Sequence, residues 1–312
     1  MGFVVERVVR WVQRRRVQRW RWWRWLIRRE RVVTGPDIVS AANDRIKALV
    51  RLRDRRERDA VRRFLIEGHR ELARALDAEI TLETLFTCPE LHLGVNDARL
   101  VTRAADGGAE IVTVAEAPFR KASYRDRPEG LLAVAEQFDI GIGRLDLSGT
   151  PLLLVAEGIE KPGNLGTMLR TAEAAGASGV IVADQTTDPF NPNVVRASLG
   201  TLFTVPLAVT STDEAIAALH RAGVVIVATT PAGDTAHFAT DLTRPTAIVV
   251  GSEQYGLSAR WLETADVRVV IPMPGSVDSL NAAMAAGIVL FEALRQRAVA
   301  GIGGGAPASV AR

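Results

Sequence analysis

Three segments of this chain place polar or charged side chains where a short apolar run gives way to a helix-forming run, the junction at which α/β proteins hold most of their chemistry. EGIEKPGNLGTMLRTAEAAGASGVIV (157–182) carries Asn164 and Arg170. IVVGSEQYGLS (248–258) carries Gly251, Ser252 and Glu253, and VVIPMPGSVDSLNAAMAAGIVLFEALRQR (269–297) carries Ser279, Leu280 and Asn281. These are side chains able to bind and orient a substrate, yet taken singly each segment is a strand–helix junction of the kind every α/β protein has. Each also has a plain structural use. An Asn at a helix start caps more often than it reacts. Arg170 follows Asn164 by six residues, about 600° of helical rotation, so the two share no stripe and need loop geometry to converge.

Other chemistries lose their basis. The chain has no GxxxxGK[ST], GxSxG or HExxH motif, and its four histidines (69, 92, 220, 237) are scattered. The glycine clusters near 141 and 301 neither follow a strand nor open a helix, so a dinucleotide-binding fingerprint is not supported. Cys88 is the only cysteine, which excludes an internal disulfide, a zinc ribbon and an iron–sulfur nest, and fits a reducing, cytoplasmic setting. No metal site is expected.

The elements that must position these residues are legible from apolar patterning. With 312 residues the chain is long enough for two domains. From 38 to about 135, helix and strand alternate: a long polar helix over 40–58, strands at FLIEG (64–68), TLETLFTC (81–88), IVTVA (111–115) and GLLAVAE (130–136), and a helix over 69–76. QFDIGIGRLDLSGT, with three glycines, reads as a linker over 137–150. The second half repeats β-branched runs at 152–158, 179–184, 202–210, 224–230, 246–253 and 267–273, with a last helix over 279–298 that starts with small residues. Continuous apolar strands alternating with helices imply a parallel sheet covered on both faces, with ligands at the strands' carboxyl ends.

Charge must be split by segment. Residues 1–31 hold eleven arginines against Glu6 and Glu30, a net +9, so the overall +3 leaves −6 for the remainder. The alkaline character belongs to this extension (1–35), which also concentrates Trp11, Trp20, Trp22, Trp23 and Trp25. It reads as an arm that binds RNA or an anionic membrane surface, as a disordered extension, or as residues upstream of the true start. Residues 299–312 read as a flexible tail.

Taken together and in order, the three segments resemble the motifs of the SpoU (TrmH-like) RNA ribose 2′-O-methyltransferases of the SPOUT superfamily: NLGTMLRTAEAAG (164–176), VVGSEQYGLS (249–258) and IPMPGSVDSLNAAMAAGIVLFEALR (271–295). DPFNPNVVRASLGTLFTVP (188–206) is similar to the family's intervening segment. VSAANDRIKALVRLRDRRERDAVRRFLIEGHRELARAL (39–76) is similar to its N-terminal substrate-binding domain.

The resemblance implies an α/β fold in two parts: a small RNA substrate-binding domain (36–136), then a SPOUT catalytic domain (151–298) with a parallel sheet and a deep trefoil knot. It also implies S-adenosyl-L-methionine as cofactor, an active site completed across a homodimer, and methyl transfer to a ribose 2′-hydroxyl. Large-subunit 23S rRNA leads over tRNA, because the substrate domain is so complete; a non-catalytic RNA-binding factor on the same fold is the alternative. Carried over by position, Asn164, Arg170, Glu253, Ser279 and Asn281 are the catalytic set, and Gly251, Ile271, Met273, Ser279 and Leu280 fall where the cofactor binds. Among the basic residues of 44–70, Arg45, Lys47, Arg51, Arg55, Arg62 and Arg63 are the expected contacts to RNA phosphates, which position a substrate without naming its nucleotide.

Overall fold

The computed structural model describes residues 35–302. The Arg/Trp-rich extension lies outside the described residues except for Gly35, and so does most of the 299–312 tail. The chain divides into two compact units, one reaching to Phe138 and including Phe190–Arg196, the other made of Asp139–Pro189 and Ala197 onward.

In the first unit, β1 (Arg63–Glu67), β2 (Leu82–Thr87), β3 (Glu110–Thr113) and β4 (Leu131–Glu136) form a sheet in the order β1-β4-β2-β3. β4 is antiparallel to both neighbours, and β2 and β3 are parallel. Its core gathers Ile46, Leu49, Leu65, Phe86, Phe119 and Leu132.

The long helix expected over 40–58 is two helices, α1 (Asp44–Arg51) and α2 (Arg55–Val61). The break has a local cause: Asp54 turns extended and its carboxylate accepts the Arg56 N–H at 2.7 Å, capping the second helix. Arg58 is buried, and its guanidinium donates to the carbonyls of Leu52 and Arg53 across the break.

The second unit is built on seven strands: β5 (Leu152–Glu157), β6 (Gly179–Ala183), β7 (Leu207–Thr210), β8 (Val225–Thr229), β9 (Thr235–Ala236), β10 (Thr246–Val250) and β11 (Val267–Val270). Their order is β7-β6-β5-β10-β8-β11-β9, and every pairing is parallel. β5, β6 and β10 are buried at every position, as their unbroken apolar runs require.

The chain winds outward from β5 to β6 and β7, then fills the opposite side, with β10 inserted between β5 and β8. Such a reversal opens a crevice at the strands' carboxyl ends. Helix α6 (Pro162–Ala174) follows β5, and α10 (Ala282–Val299) closes the unit. Gly287 of α10 sits so near α6 that a Cβ there would stand 3.4 Å from the Thr171 methyl.

Several boundaries differ from the sequence reading. The strand expected over 202–210 is only Leu207–Thr210, preceded by a short 3-10 turn at Thr201–Phe203. Pro206, lacking an N–H, marks the break. The last helix begins at Ala282 rather than Ser279, because Asn281 is its N-cap. The stretch read as a linker is packed: Leu145 joins the core with Leu153 and Ile181, and the Ile140 carbonyl accepts the Val209 N–H at 2.7 Å.

Candidate active site

The three chemistry-bearing segments converge at the carboxyl ends of β5, β10 and β11. The β5 strand ends in Glu157, whose buried carboxylate accepts the Ser258 N–H at 2.8 Å and so ties the loop after β10 to the end of β5. That loop is a tight turn. Ser252 and Gly256 exchange backbone hydrogen bonds of 3.1 and 3.0 Å, Gly256 taking a left-handed φ of 68°. Gly251 beneath it has no room for a side chain, since a Cβ would lie 2.2 Å from the Gly256 carbonyl.

This turn forms one wall of a cleft of about 420 Å³. Gly251, Ile271, Met273, Ser279 and Leu280, drawn from the loops after β10 and β11, all line it, opposite Thr229 and Thr230 at the end of β8. Apolar side chains such as Ile271, Met273 and Leu280 share the lining with Thr229, Ser279 and the Glu253 carboxylate. A nucleoside with a cationic sulfonium tail fits a lining that sets apolar side chains beside the Glu253 carboxylate, and the glycine floor admits it close to main-chain atoms.

At the rim of the cleft, Glu253 receives two amides on one oxygen: Asn164 Nδ2 donates to Oε1 at 2.6 Å, and Asn281 Nδ2 donates to the same atom. Asn281 Nδ2 also donates to Asn164 Oδ1 at 3.2 Å, closing a ring of three side chains. The orientation of Asn281 is fixed from behind, because its Oδ1 accepts the N–H groups of Ala283 and Met284 at 3.0 and 3.3 Å as the cap of α10. Asn164 is not a cap. It lies in the first turn of α6, whose N-cap is Lys161, and its side chain is free to serve Glu253.

The Lys161 ammonium closes on Glu253 Oε2. That bond, reinforced by the Asn164 amide, holds the Glu253 carboxyl below the usual carboxylate range against a smaller opposing effect of desolvation. Lys161 and Glu157 were not among the residues singled out from sequence. The signal for the first was a lone cation immediately before Pro162-Gly163-Asn164; the second was an acid at the end of an otherwise apolar strand.

Ser279 lies on the cleft wall without a side-chain bond to the Asn164–Glu253–Asn281 ring among the described residues. Arg170 is exposed on α6, two turns beyond Asn164, and no described contact joins it to the ring.

The expected RNA-facing cations sort into two groups. Arg63 is buried and paired with Glu83 at 2.5 Å, and Arg45 is bound by both oxygens of Glu110 (2.9 and 2.5 Å). Both are engaged by carboxylates within the fold, Arg63 on the edge strand β1 and Arg45 facing β3. Lys47, Arg51, Arg55 and Arg62 are exposed, Lys47 beside Asp44 and Arg55 3.6 Å from Asp59.

The SpoU rRNA Methylase family profile matches residues 151–291, and the MRM3-like substrate binding domain profile matches 43–133. The 23S rRNA (guanosine-2'-O-)-methyltransferase RlmB of Ralstonia nicotianae is 34% identical over 243 residues, 76% of this chain and 97% of its own length. This chain belongs to the SpoU rRNA methylase family.

Among other SpoU relatives, the 23S rRNA (uridine(2479)-2'-O)-methyltransferase of Streptomyces viridochromogenes is 37% identical over 246 residues, 76% of this chain and 77% of the relative. The crystal structure of an AdoMet-bound rRNA methyltransferase from Sinorhizobium meliloti superposes with a TM-score of 0.76 at 33% identity, covering 83% of this chain and 97% of that one. The two-part α/β fold with a parallel catalytic sheet is thus the SpoU arrangement.

Proposed function

We propose that this SpoU methylase transfers a methyl group from S-adenosylmethionine to a ribose 2′-hydroxyl of large-subunit 23S rRNA. The observation that carries the reading is the ring of Asn164, Glu253 and Asn281, three residues from separate segments, joined at the rim of a glycine-floored cleft. The cofactor, held there, supplies a sulfonium-activated methyl group, so the protein need only align the oxygen and ease its deprotonation.

In this reading Gly251, Ile271, Met273, Ser279 and Leu280, which line the cleft, would hold the cofactor. Glu253, kept ionised, is clamped by the two amides and fixes the relation between the start of α6 and the start of α10. Arg170 anchors the phosphate beside the target ribose and stabilises the negative charge that develops on the 2′-oxygen as its proton passes to solvent. Lys47, Arg51, Arg55 and Arg62 supply phosphate contacts in the substrate domain (36–136), while residues 151–298 do the chemistry.

Two further parts belong to the same proposal. The exposed row Met284 (59%), Phe291 (48%) and Leu294 (37%) on α10 supports a homodimer through that helix, since apolar residues at this spacing form one uncovered stripe. The deep trefoil knot is supported by the loops after β10 and β11 lining one cleft before α10 turns back across β5 and β10. No helix among the described residues is long and apolar enough to cross a membrane, and a cytoplasmic site of action accords with an rRNA substrate.

The test is to map ribose methylation across rRNA and tRNA with and without the gene, and with Arg170→Ala in its place. One 23S position should lose its methyl in both the deletion and the variant. A missing tRNA methyl would redirect the substrate, and failure to bind S-adenosylmethionine in calorimetry would leave an RNA-binding scaffold.

A further inference from the structure

Beside the main cleft lies a second one, of about 310 Å³, lined by Ile159, Glu160, Lys161, Asn164, Glu253 and Gln254. Its volume is at the lower end of the range for small-molecule sites. Glu253 and Gln254 also line the main cleft, so whatever occupies the smaller one abuts the methyl donor's site. Lys161 is the one cation among its lining residues, which otherwise contribute two carboxylates, an unfavourable surface for RNA unless that charge is engaged.

The Lys161 ammonium is well placed to change partners. It is 71% exposed while its partner's side chain is 25% exposed, and exposed ion pairs contribute little net stability. Glu253 keeps both amide donors on Oε1 when the lysine leaves, so the carboxylate is not abandoned. The segment bearing Lys161 is meanwhile held in place: Thr187 Oγ1 donates to the Glu160 carbonyl at 2.7 Å, and the Lys161 carbonyl accepts the N–H groups of Asn164 and Leu165 at 3.0 and 3.3 Å. A fixed backbone carrying a long, solvent-exposed cation suits a phosphate contact made as a point charge.

We infer that the smaller cleft receives the sugar-phosphate of the substrate strand next to the target ribose, with Lys161 leaving Glu253 to bind its phosphodiester. The inference rests on the methyltransferase reading above and adds a substrate-binding residue to it. In the free enzyme Lys161 screens Glu253; in the complex the phosphate takes that cation, and the ring of Asn164, Glu253 and Asn281 stays closed.

The experiment measures binding of the shortest 23S rRNA transcript that the wild-type chain methylates, over a series of potassium chloride concentrations, for wild type, Lys161→Ala and Lys161→Arg. Lys161→Ala should weaken binding roughly three- to tenfold at low salt. It should also reduce the slope of log affinity against log salt by about 0.7 to 1, the signature of one lost phosphate contact. Lys161→Arg should restore the slope, and S-adenosylmethionine affinity should stay within about twofold of wild type in both, because Lys161 does not line the main cleft. An unchanged slope in Lys161→Ala, or an arginine variant as defective as the alanine one, would overturn the inference while leaving the methyltransferase reading intact. A wild-type chain that methylates no transcript would remove both.

Discussion

Replacing Gly251 with alanine probes the floor of the main cleft. The added Cβ would lie 2.2 Å from both the carbonyl carbon and oxygen of Gly256, and 2.5 Å from the Leu257 nitrogen, more than 1 Å inside the ordinary contact distance of about 3.5 Å. The obstacle is backbone, so no rotamer change relieves it. The 252–256 turn must lift away from β10, straining the paired Ser252–Gly256 bonds of 3.1 and 3.0 Å. Overpacking of this kind costs about 1–3 kcal/mol, and a weakened backbone hydrogen bond about 1 kcal/mol.

In the proposed reading this turn is the wall that meets the cofactor, so about 2–3 kcal/mol of this should appear in binding, or roughly 30- to 150-fold in the Kd for S-adenosylmethionine. Isothermal calorimetry with S-adenosylmethionine and a thermal melt on the same protein would measure both effects. Gly256→Asn is the control: its φ of 68° suits asparagine and nothing lies within 4 Å of a Cβ there, so affinity should change little. An alanine variant at 251 with wild-type affinity and an unchanged melting temperature would refute the close-packed turn as the basis of the site.

Asn281→Ala removes a helix cap and a strut of the ring at once; it should lower stability by about 1 kcal/mol and reduce methyl transfer, whereas Asn281→Asp should keep the cap in thermal melts yet still impair turnover by setting a second carboxylate against Glu253. Phe291→Asp, placed on the exposed α10 stripe, should convert the proposed dimer to monomer in light scattering; a variant that stays dimeric would move the interface elsewhere. Cys88 is fully buried, and burial, aided by the Glu90 carboxylate 3.2 Å away, pushes its thiol up to about 12. Since the thiolate is the reactive form, the folded chain should resist Ellman's reagent at pH 8 and react only at the rate of unfolding; prompt labelling would contradict the burial.

The strands were legible because parallel strands buried on both faces write themselves as unbroken apolar runs, as LLLVA (152–156) and TAIVV (246–250) do. Their ends were less so: 246–253 was read as strand, but the ladder stops at Val250 where Gly251 dives under the turn. The contact of Asn164 with Glu253 and Asn281 could not come from helical geometry, because it depends on loops 89 and 117 residues away in sequence. The motif resemblance supplied the set, and the folded chain joined three of its members.

Composition misjudged the basic helices. Charge counting cannot tell an arginine that faces solvent from one like Arg58 or Arg63 that is enclosed among carbonyls or carboxylates. Lys161 shows the converse: an exposed cation with no basic neighbour in sequence leaves no mark on a charge count.

Arg297, near the end of α10, is buried and spreads its guanidinium over four carbonyls: Leu242, Thr150, Pro151 and Arg244, at 2.7–3.1 Å. These acceptors flank the starts of β5 and β10, the two central strands, yet the donor is synthesised after every strand of the sheet. The four bonds therefore form only when the last helix is docked against strands that all precede it in the chain. One side chain near the carboxyl end thus staples together backbone segments some ninety residues apart, and its loss would free the starts of β5 and β10 from each other and from the last helix.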